Sequence, residues 1–237
     1  LGTAAFNVFV ENNYFVGNGP TKYTEMIDSY GAGKYVVRYN SIVNSYVMTH
    51  GGCPNGCRGA RAFEVYNNDF ATNTNLPRAV NRPAFFRSGT GVIYNNTFNA
   101  YQTNAINVDI EAICTNIKCG DIGTIYLERT TDGYNTDWHR VDTPSCSKYP
   151  CQDQIGRGQD TGWGTEQVRE GLYAWNNILN GTSSVKIAIS AGGCSGQSTF
   201  LQENRDFFNA TNLSDAKAKG LAADYTPYTC PHPLTGL

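Results

Sequence analysis

The sequence predicts an all-β solenoid, in which successive coils of strands stack on one another. Three observations carry this prediction: the composition, a repeat of fixed period, and the alternation of apolar and polar side chains within the repeat. The composition favours strands and turns, because 25 Gly and 15 Tyr accompany only two Met among 237 residues. A helical bundle is therefore not expected.

The repeated segment is centred on one asparagine. It occurs as NVFVENNYF (7–15), YVVRYNSIV (35–43), FEVYNNDF (63–70), VIYNNTF (92–98), YAWNNIL (173–179) and FLQENRDF (200–207). The aligned anchors are Asn13, Asn40, Asn68, Asn96, Asn177 and Asn204, with spacings of 27, 28, 28, 81 and 27 residues. A period between about 20 and 50 residues is typical of a solenoid. Because 81 is three times 27, residues 99–170 are expected to fill the space of two or three coils.

Side-chain direction follows from the columns of this alignment. The position three before the anchor is apolar throughout, with Val10, Val37, Val65, Ile93, Ala174 and Leu201. The position two after it is apolar except in the last coil, with Phe15, Ile42, Phe70, Phe98, Leu179 and then Asp206. The position two before it holds Glu11, Arg38, Tyr66, Tyr94, Trp175 and Gln202. This period-two alternation indicates strands with one face inside.

A strand, a corner at Asn and a second strand, repeated every ~27 residues, describe the coils of a parallel β-helix. Asn tolerates the left-handed backbone of a tight corner, and its amide can bond to the same Asn one coil away. We therefore expect the anchors to form a structural ladder.

These stacked coils resemble the right-handed parallel β-helix, or pectate-lyase-like, superfamily, and are most similar to bacterial secreted β-helix repeat proteins of ill-defined activity. The resemblance covers residues 6–98 and 171–208. It implies the fold, whereas the functions carried by this architecture range from lyases and hydrolases to adhesins and fibres. No catalytic motif of pectate lyases or polygalacturonases matches the sequence.

The expected organisation is a β-helix over residues 1–208 and a C-terminal tail over 209–237. Strands are predicted at 106–113 and 123–130, followed by a long disulfide-held loop at 131–164. The tail is expected to contain a short helix near 214–222 and to pack as a cap over the last coil. The first coil has no evident cap.

The even number of cysteines predicts disulfides: Cys53, Cys57, Cys114, Cys119, Cys146, Cys151, Cys194 and Cys230. Three pairs are close in sequence, and Cys194 with Cys230 is expected to tie the last coil to the tail. Spacers of three or four residues fit zinc poorly. Disulfides indicate an extracellular, cell-surface or periplasmic protein, and the absence of a leader before the first strand suggests a processed form. Glycosylation sequons occur at Asn95, Asn180, Asn209 and Asn212.

The charge balance excludes some partners. With 18 basic and 20 acidic residues the net charge is −2, so neither nucleic acid nor a polybasic membrane surface is an expected partner. No apolar run approaches the ~18 residues of a membrane span.

Polar residues end a second set of strands before glycine turns. Asp28, His50, Arg87 and Ser190 are expected to stack ~4.8 Å apart in one row. Asp and His serve as general acids and bases, and Arg binds carboxylates or developing oxyanions, which suits uronic-acid polysaccharides. The alternative is a hydrogen-bonded ladder that completes the turns.

A second candidate is the pair Asp109 and Glu111 in NVDIEA. Alternation places both carboxylates on one face, ~6.5–7 Å apart at the backbone, a spacing that glycosidase pairs use. A calcium site on this pair is an alternative that no calcium-loop motif supports, and no other cofactor or metal is expected.

The third candidate is aromatic. Tyr66, Tyr94 and Trp175, with Tyr173 in the neighbouring column, form an outward apolar stripe that suits stacking on sugar rings. The alternative is that the loop at 131–164 or the tail folds over it.

Two functions follow. The first is a secreted protein that binds or degrades polysaccharide, with lyase or glycoside hydrolase chemistry if it is an enzyme. Its acid/base candidates are Asp28, His50, Asp109 and Glu111, and Arg87 is the carboxylate binder. The second is a structural or adhesive protein without chemistry, whose copies associate through the uncapped first coil and the apolar stripe as a filament.

Overall fold

The computed structural model describes residues 1, 8–17, 24–29, 31–51, 59–72, 82–101, 105–109, 155–159, 168–190 and 201–232. Within these ranges the chain is nearly all β, as the sequence predicts. Three parallel sheets contain most of the strands, and successive coils contribute one strand to each sheet in turn.

Sheet A consists of β1 (Val8–Glu11), β4 (Lys34–Arg38), β7 (Ala62–Tyr66), β10 (Thr90–Tyr94), β15 (Leu172–Trp175) and β19 (Phe207–Asn209). Sheet B consists of β2 (Tyr14–Val16), β5 (Ser41–Val43), β8 (Asp69–Ala71), β11 (Thr97–Asn99), β16 (Ile178–Leu179) and the antiparallel β17 (Ser183–Ser184). Sheet C consists of β3 (Glu25–Ser29), β6 (Tyr46–Thr49), β9 (Ala84–Phe86), β12 (Ile106–Val108) and β18 (Ile187–Ile189). A separate antiparallel hairpin pairs β13 (Arg157–Gln159) with β14 (Val168–Arg169).

The core lies between the three sheets and is built from the predicted inward columns. Val37, Val65 and Ile93 from sheet A are completely buried, and so are Ile42, Phe70 and Phe98 from sheet B. Like residues stack on like residues from coil to coil, as the rings of Phe70 and Phe98 do with centroids 4.9 Å apart. The period-two prediction of which side chains lie inside is confirmed.

The asparagine ladder is also confirmed over five coils. The side-chain amide of Asn40 donates to Asn68 Oδ1 at 3.0 Å, that of Asn68 donates to Asn96 Oδ1 at 3.0 Å, and Asn13 donates in the same way to Asn40. The backbone N–H groups of the first four anchors donate to the same oxygens, for example from Asn68 to Asn96 at 3.0 Å. Each rung thereby fixes one corner of the next coil.

The backbone of that corner corrects one expectation. The left-handed residue is the one before the anchor, with positive φ at Asn12, Tyr39, Asn67, Asn95 and Asn176. The anchor itself is not left-handed, so its role is to bond to its neighbours, while the preceding residue makes the bend. Asn is frequent there because its short polar side chain tolerates this conformation.

The anchors Asn96 and Asn177, 81 residues apart, lie on adjacent coils, which contradicts the expectation that two or three coils separate them. Tyr94 pairs directly with Trp175, and the side-chain amide of Asn96 donates to Asn177 Oδ1 at 2.9 Å. The chain between β12 and β15 is therefore an insertion into one coil. Ile155 from this insertion is completely buried in the core. The predicted strand at 106–113 is present as Ile106–Val108, and 123–130 lies outside the described residues.

The last coil is placed differently from the alignment. The strand that pairs with β15 is β19, with Leu172 opposite Phe207, so Asn204 does not join the ladder. Asn204 lies instead in a turn with φ 66°, and Asp206 is buried beside Arg205, whose guanidinium lies 2.9 Å from its carboxylate. The carbonyl of Asp206 accepts a hydrogen bond from Leu172 N–H, and β19 begins at the next residue. Asp206, which interrupts the apolar column of the alignment, therefore lies immediately before β19.

The tail contains one short helix, α1 (Leu213–Ala218), capped by Asn212, whose side chain accepts from Asp215 N–H. This helix and the chain that follows it run along the outer face of sheet A, where Ala216, Leu221 and Tyr225 are buried. Its contacts reach back to Phe9 in the first coil through Tyr228, with ring centroids 5.0 Å apart. These contacts lie along the side of the β-helix, whereas the sequence predicts a cap over its last coil.

Candidate functional site

Polar residues gather at the C-terminal ends of the sheet C strands. In register, Ser29, Thr49, Phe86, Val108 and Ile189 lie opposite one another on successive coils. His50 follows β6, Arg87 follows β9, Asp109 follows β12 and Ser190 follows β18. Neighbouring strands are about 4.8 Å apart, so these four residues form a polar row.

This row differs from the predicted one in one member. Asp28 lies within β3 opposite Met48, not at the strand end, and Asp109 occupies a place in the row. The sequence treats Asp109 as part of a separate pair with Glu111, which lies outside the described residues. The structure therefore places one member of the second predicted set, Asp109, in the same row as His50 and Arg87. We call these residues together with Asp28 the sheet C site (Asp28, His50, Arg87, Asp109).

Asp28 and His50 are in direct contact. Nε2 of His50 lies 2.8 Å from Oδ2 of Asp28, and the two side chains are 32% and 24% exposed. The second carboxylate oxygen of Asp28 is buried and has no hydrogen-bond partner among the described residues. An Asp that holds one imidazole nitrogen orients the ring and stabilises its protonated form, which is the arrangement of a general base with its orienting carboxylate.

The backbone of this site is held by side chains of the turn that follows β9. Ser88 donates its hydroxyl proton to the carbonyl of His50, and the Thr49 hydroxyl donates to the Ser88 carbonyl at 3.0 Å. The Arg87 Nε–H donates to the Thr49 carbonyl at 3.2 Å, and its guanidinium lies 5.3 Å from the ring centroid of Phe85. The arginine is therefore positioned beside His50, partly exposed, one coil along the row.

Asp109 lies on the other side of Arg87. Its N–H donates to the Phe86 carbonyl at 3.0 Å, and the residue is 6% exposed. Ser190 continues the row, since its N–H donates to the Val108 carbonyl at 2.8 Å. A cation flanked by an imidazole–carboxylate pair and a buried carboxylate combines proton transfer with binding of negative charge.

The aromatic stripe is covered. The four residues expected to bind sugar are between 1% and 5% exposed: Tyr66, Tyr94, Tyr173 and Trp175. Tyr66, Tyr94 and Trp175 stack on one another from coil to coil, and Tyr173 stacks on Phe208. Tyr225 of the tail packs edge-on against Trp175, with centroids 6.5 Å apart, and donates its hydroxyl to the buried carboxylate of Glu64 at 3.0 Å. The alternative in which the tail covers the stripe is the observed one, so these rings present no open platform.

Burial affects the tyrosines of this cluster in the same direction. Desolvation raises the pKa of Tyr66 to about 12, against the opposing effect of its hydrogen bond from Arg38. Desolvation also raises the pKa of Tyr225, and the nearby Glu64 carboxylate adds to the rise. These phenols remain protonated donors at physiological pH, as the Tyr225–Glu64 hydrogen bond requires.

Arg38 attaches the end of the tail to the first two coils. Its side chain is completely buried and lies 2.7 Å from Glu11, and it donates to the carbonyls of Tyr228 and Thr229 at 2.6 and 2.7 Å. Glu11 in turn accepts from His232 N–H at 2.9 Å. Burial alone would raise the pKa of Glu11, but the His232 N–H and the Arg38 guanidinium outweigh it and lower the pKa below its ordinary value.

The described residues include one of the eight cysteines and all four sequon asparagines. Cys230 is exposed and carries a free thiol, and its expected partner Cys194, like the other six cysteines, lies outside the described residues. Asn95, Asn180 and Asn212 are exposed. Asn209 is half-buried, and its amide exchanges hydrogen bonds with the backbone of Ile187 and donates to Glu203.

The described residues contain no group of three or more His, Cys, Asp or Glu side chains able to hold a metal ion. The calcium hypothesis for Asp109 and Glu111 remains untested. Among the helices that the structure describes, none is long and apolar enough to cross a membrane.

Comparison with protein-family models, with curated proteins and with solved structures finds no match for this chain.

Proposed function

We propose that this protein is a secreted or cell-surface β-helix protein of the pectate-lyase-like kind that binds and cleaves polysaccharide at the sheet C site. The observation that carries the proposal is the 2.8 Å contact between His50 and Asp28 beside the partly exposed Arg87. These residue types supply a base, its orienting carboxylate and a site for negative charge.

In this proposal His50 takes a proton from the sugar or from an attacking water, and Asp28 stabilises the resulting imidazolium. Arg87 binds the carboxylate of an acidic sugar or the oxyanion that develops during cleavage. Asp109 serves as the proton donor to the leaving oxygen. The strand ends of a parallel sheet suit this role, because the stacked coils hold all four side chains on a rigid frame.

The test is a screen of uronate-containing and neutral polysaccharides for new reducing ends and for the ultraviolet absorbance of unsaturated sugars. We expect cleavage of at least one polymer by the native protein and loss of that activity in His50→Gln and Arg87→Gln. The matched control is His232→Gln, which replaces a histidine at the far end of the tail and should leave activity unchanged. No cleavage of any polymer, or equal cleavage by His50→Gln, would contradict the proposal.

A second candidate is a non-catalytic structural protein whose copies associate at the first coil. It is supported by the exposure of two apolar side chains on β1 and β2, Val8 at 64% and Tyr14 at 71%. Exposed apolar strand edges favour pairing with another chain. Light scattering on the native protein and on Val8→Lys tests it: association lost in the variant supports this function, and a native monomer at all concentrations contradicts it.

A further inference from the structure

The asparagine ladder stops at Asn177, and its last rung differs from the others. On the earlier rungs the backbone N–H and the side-chain amide both donate to Oδ1 of the next Asn, as Asn96 does to Asn177 at 3.2 and 2.9 Å. Asn177 donates one amide hydrogen to the Ile93 carbonyl at 2.8 Å. Within the described residues no next-coil oxygen accepts from its N–H or from its other amide hydrogen.

These two donors face the side of the coil where a sixth rung would lie. The chain does not supply that rung, because β19 provides only the sheet A strand of the coil before α1 begins. Asn177 is 1% exposed, so bulk water reaches these donors very little. A pair of buried donors aimed at one point is costly unless an oxygen occupies that point.

A groove of about 900 Å³ opens at this point. Its lining includes Asn177, Asn176, Thr182, Ser184, Lys186 and Lys219, so hydroxyls, amides and two ammonium groups surround the ladder end. Lys219 is already bonded to Asp215 and to the Asn209 carbonyl, each at 2.9 Å. Lys186 is exposed and makes no hydrogen bond or ion pair with any described residue, so the groove carries one uncompensated positive charge.

We infer that this groove is a binding site for an acidic sugar, whose carboxylate takes the place of the missing Asn Oδ1. One carboxylate oxygen accepts from the N–H and the amide of Asn177, and the negative charge is balanced by Lys186. The sugar hydroxyls bond to Thr182, Ser184 and the exposed amide of Asn176. A planar carboxylate fits two convergent N–H donors in the way that the Asn oxygen does on every earlier rung.

This inference rests on the proposed glycan binding for the identity of the ligand, but the groove and the sheet C site are separate. The groove lies at the corner between sheets A and B, whereas His50 follows a strand of sheet C. The two sites can therefore fail independently. A polymer held in the groove is retained by the protein whether or not the sheet C site cleaves it.

The test is a two-dimensional ¹H–¹⁵N spectrum of the full chain, titrated with a glucuronate-containing disaccharide and with its neutral glucose counterpart. We expect the backbone and side-chain amide signals of Asn177 to move with the acidic disaccharide. We expect Lys186→Gln to bind it about fivefold more weakly, the size of one exposed ion pair. Lys217→Gln, which changes a lysine of α1 that does not line the groove, should bind like the native chain.

Two further arms complete the design. Ser184→Tyr, which fills the groove from β17, should abolish the Asn177 shift without touching the ladder, and His50→Gln should leave it intact. An Asn177 signal that moves equally with the neutral disaccharide or with acetate alone overturns the acidic-sugar assignment. An Asn177 signal that does not move, or unchanged affinity in Lys186→Gln, overturns the site. Loss of cleavage in His50→Gln with groove binding retained separates this inference from the proposed cleavage.

Discussion

Asn96 and Asn177 are neighbours in space, with the amide nitrogen of Asn96 2.9 Å from Oδ1 of Asn177, although 81 residues separate them in the sequence. This contact shows that the coils before and after the long middle segment are direct neighbours. Asp109, the last described residue before this segment, lies beside Arg87 because β12 pairs with β9.

The first prediction concerns the ladder itself. Asn96→Ala removes the acceptor of the Asn68 N–H and amide and the donor to the Val65 carbonyl, all of them buried. We expect a loss of about 2–5 kcal/mol in the free energy of unfolding, because each stranded buried group costs about 1–3 kcal/mol. Denaturant unfolding followed by circular dichroism measures it.

The control for that prediction is the adjacent residue. Asn95 is exposed and has φ 53°, a conformation that glycine adopts freely, so Asn95→Gly should change stability by only a few tenths of a kcal/mol. Equal destabilisation by the two variants would show that the corner, and not the ladder, carries the stability.

The second prediction concerns the attachment of the tail. Arg38→Met leaves Glu11 buried without its ion pair and removes the donors to Tyr228 and Thr229. Breaking a buried pair from one side costs about 3–5 kcal/mol, and here we expect much of that loss to appear as local release of the tail. Amide hydrogen exchange over 225–232 should become fast, whereas exchange in β7 and β10 should change little. Lys217→Gln serves as the surface control, and slow exchange retained in Arg38→Met would contradict the attachment.

The third prediction is the pH dependence of the same contact. The pKa of Glu11 is lowered in the folded state from an ordinary value of 4.5, so its contribution to stability is fully present above that value. It is lost as the pH falls below 4.5 through the folded pKa, because protonation neutralises the partner of Arg38. The protection factors of the tail amides, which are corrected for the pH dependence of intrinsic exchange, should therefore fall on acidification in the native protein. In Glu11→Gln this acid-dependent step should disappear, and an unchanged step would assign it to another group.

The fourth prediction concerns the buried carboxylate under the tail. Tyr225→Phe removes the hydroxyl that donates to Glu64 at 3.0 Å, which should cost about 1–3 kcal/mol because Glu64 is 1% exposed. Thermal unfolding measures the change. Tyr14→Phe makes the same substitution at a ring that is 71% exposed and should have almost no effect. If the two variants unfold alike, the Tyr225 hydroxyl does not stabilise the packed tail.

The fifth prediction separates catalysis from stability at the sheet C site. Asp28 and His50 are partly exposed, and such pairs contribute about 0–1 kcal/mol, so Asp28→Asn should melt within a few degrees of the native protein. Its activity on any cleaved polymer should nevertheless fall, because the imidazole loses the carboxylate that orients it. A variant that keeps full activity would assign the pair a structural role in finishing the turns.

The sequence predicts the coil geometry well because every coil repeats the same packing problem. Val37, Val65 and Ile93 recur at one position, and a strand with one buried face has only one register that keeps them inside. The ladder follows from the same spacing. The insertion was missed because a multiple of the period looks the same whether the intervening residues form coils or leave the solenoid.

The covered face and the shifted last coil were harder to predict for a different reason. Tyr66, Tyr94 and Trp175 are outward in every coil, and nothing in the alternation distinguishes a solvent-facing ring from one under the tail. The complementary signal lies in the tail, where Leu221, Tyr225 and Tyr228 are apolar at intervals of three or four residues. The segment FLQENRDF matches the pattern of the repeat, so the alignment makes Asn204 an anchor. In the structure Phe207 lies opposite Leu172, and Asn204 therefore precedes the paired strand.

Nuclear Overhauser contacts between the side-chain amides of the anchor asparagines test the account most directly, since all the functional arguments depend on which coils are adjacent. We expect a continuous series of contacts that links Asn13, Asn40, Asn68, Asn96 and Asn177 in that order. A contact from Asn96 to a residue within 110–150, with none to Asn177, would place additional coils between them. That result would place the two walls of the groove, residues 95–97 and 176–178, on separate coils and contradict the groove site. A series broken between Asn13 and Asn96 would contradict the sheet C site, whose residues lie on those coils.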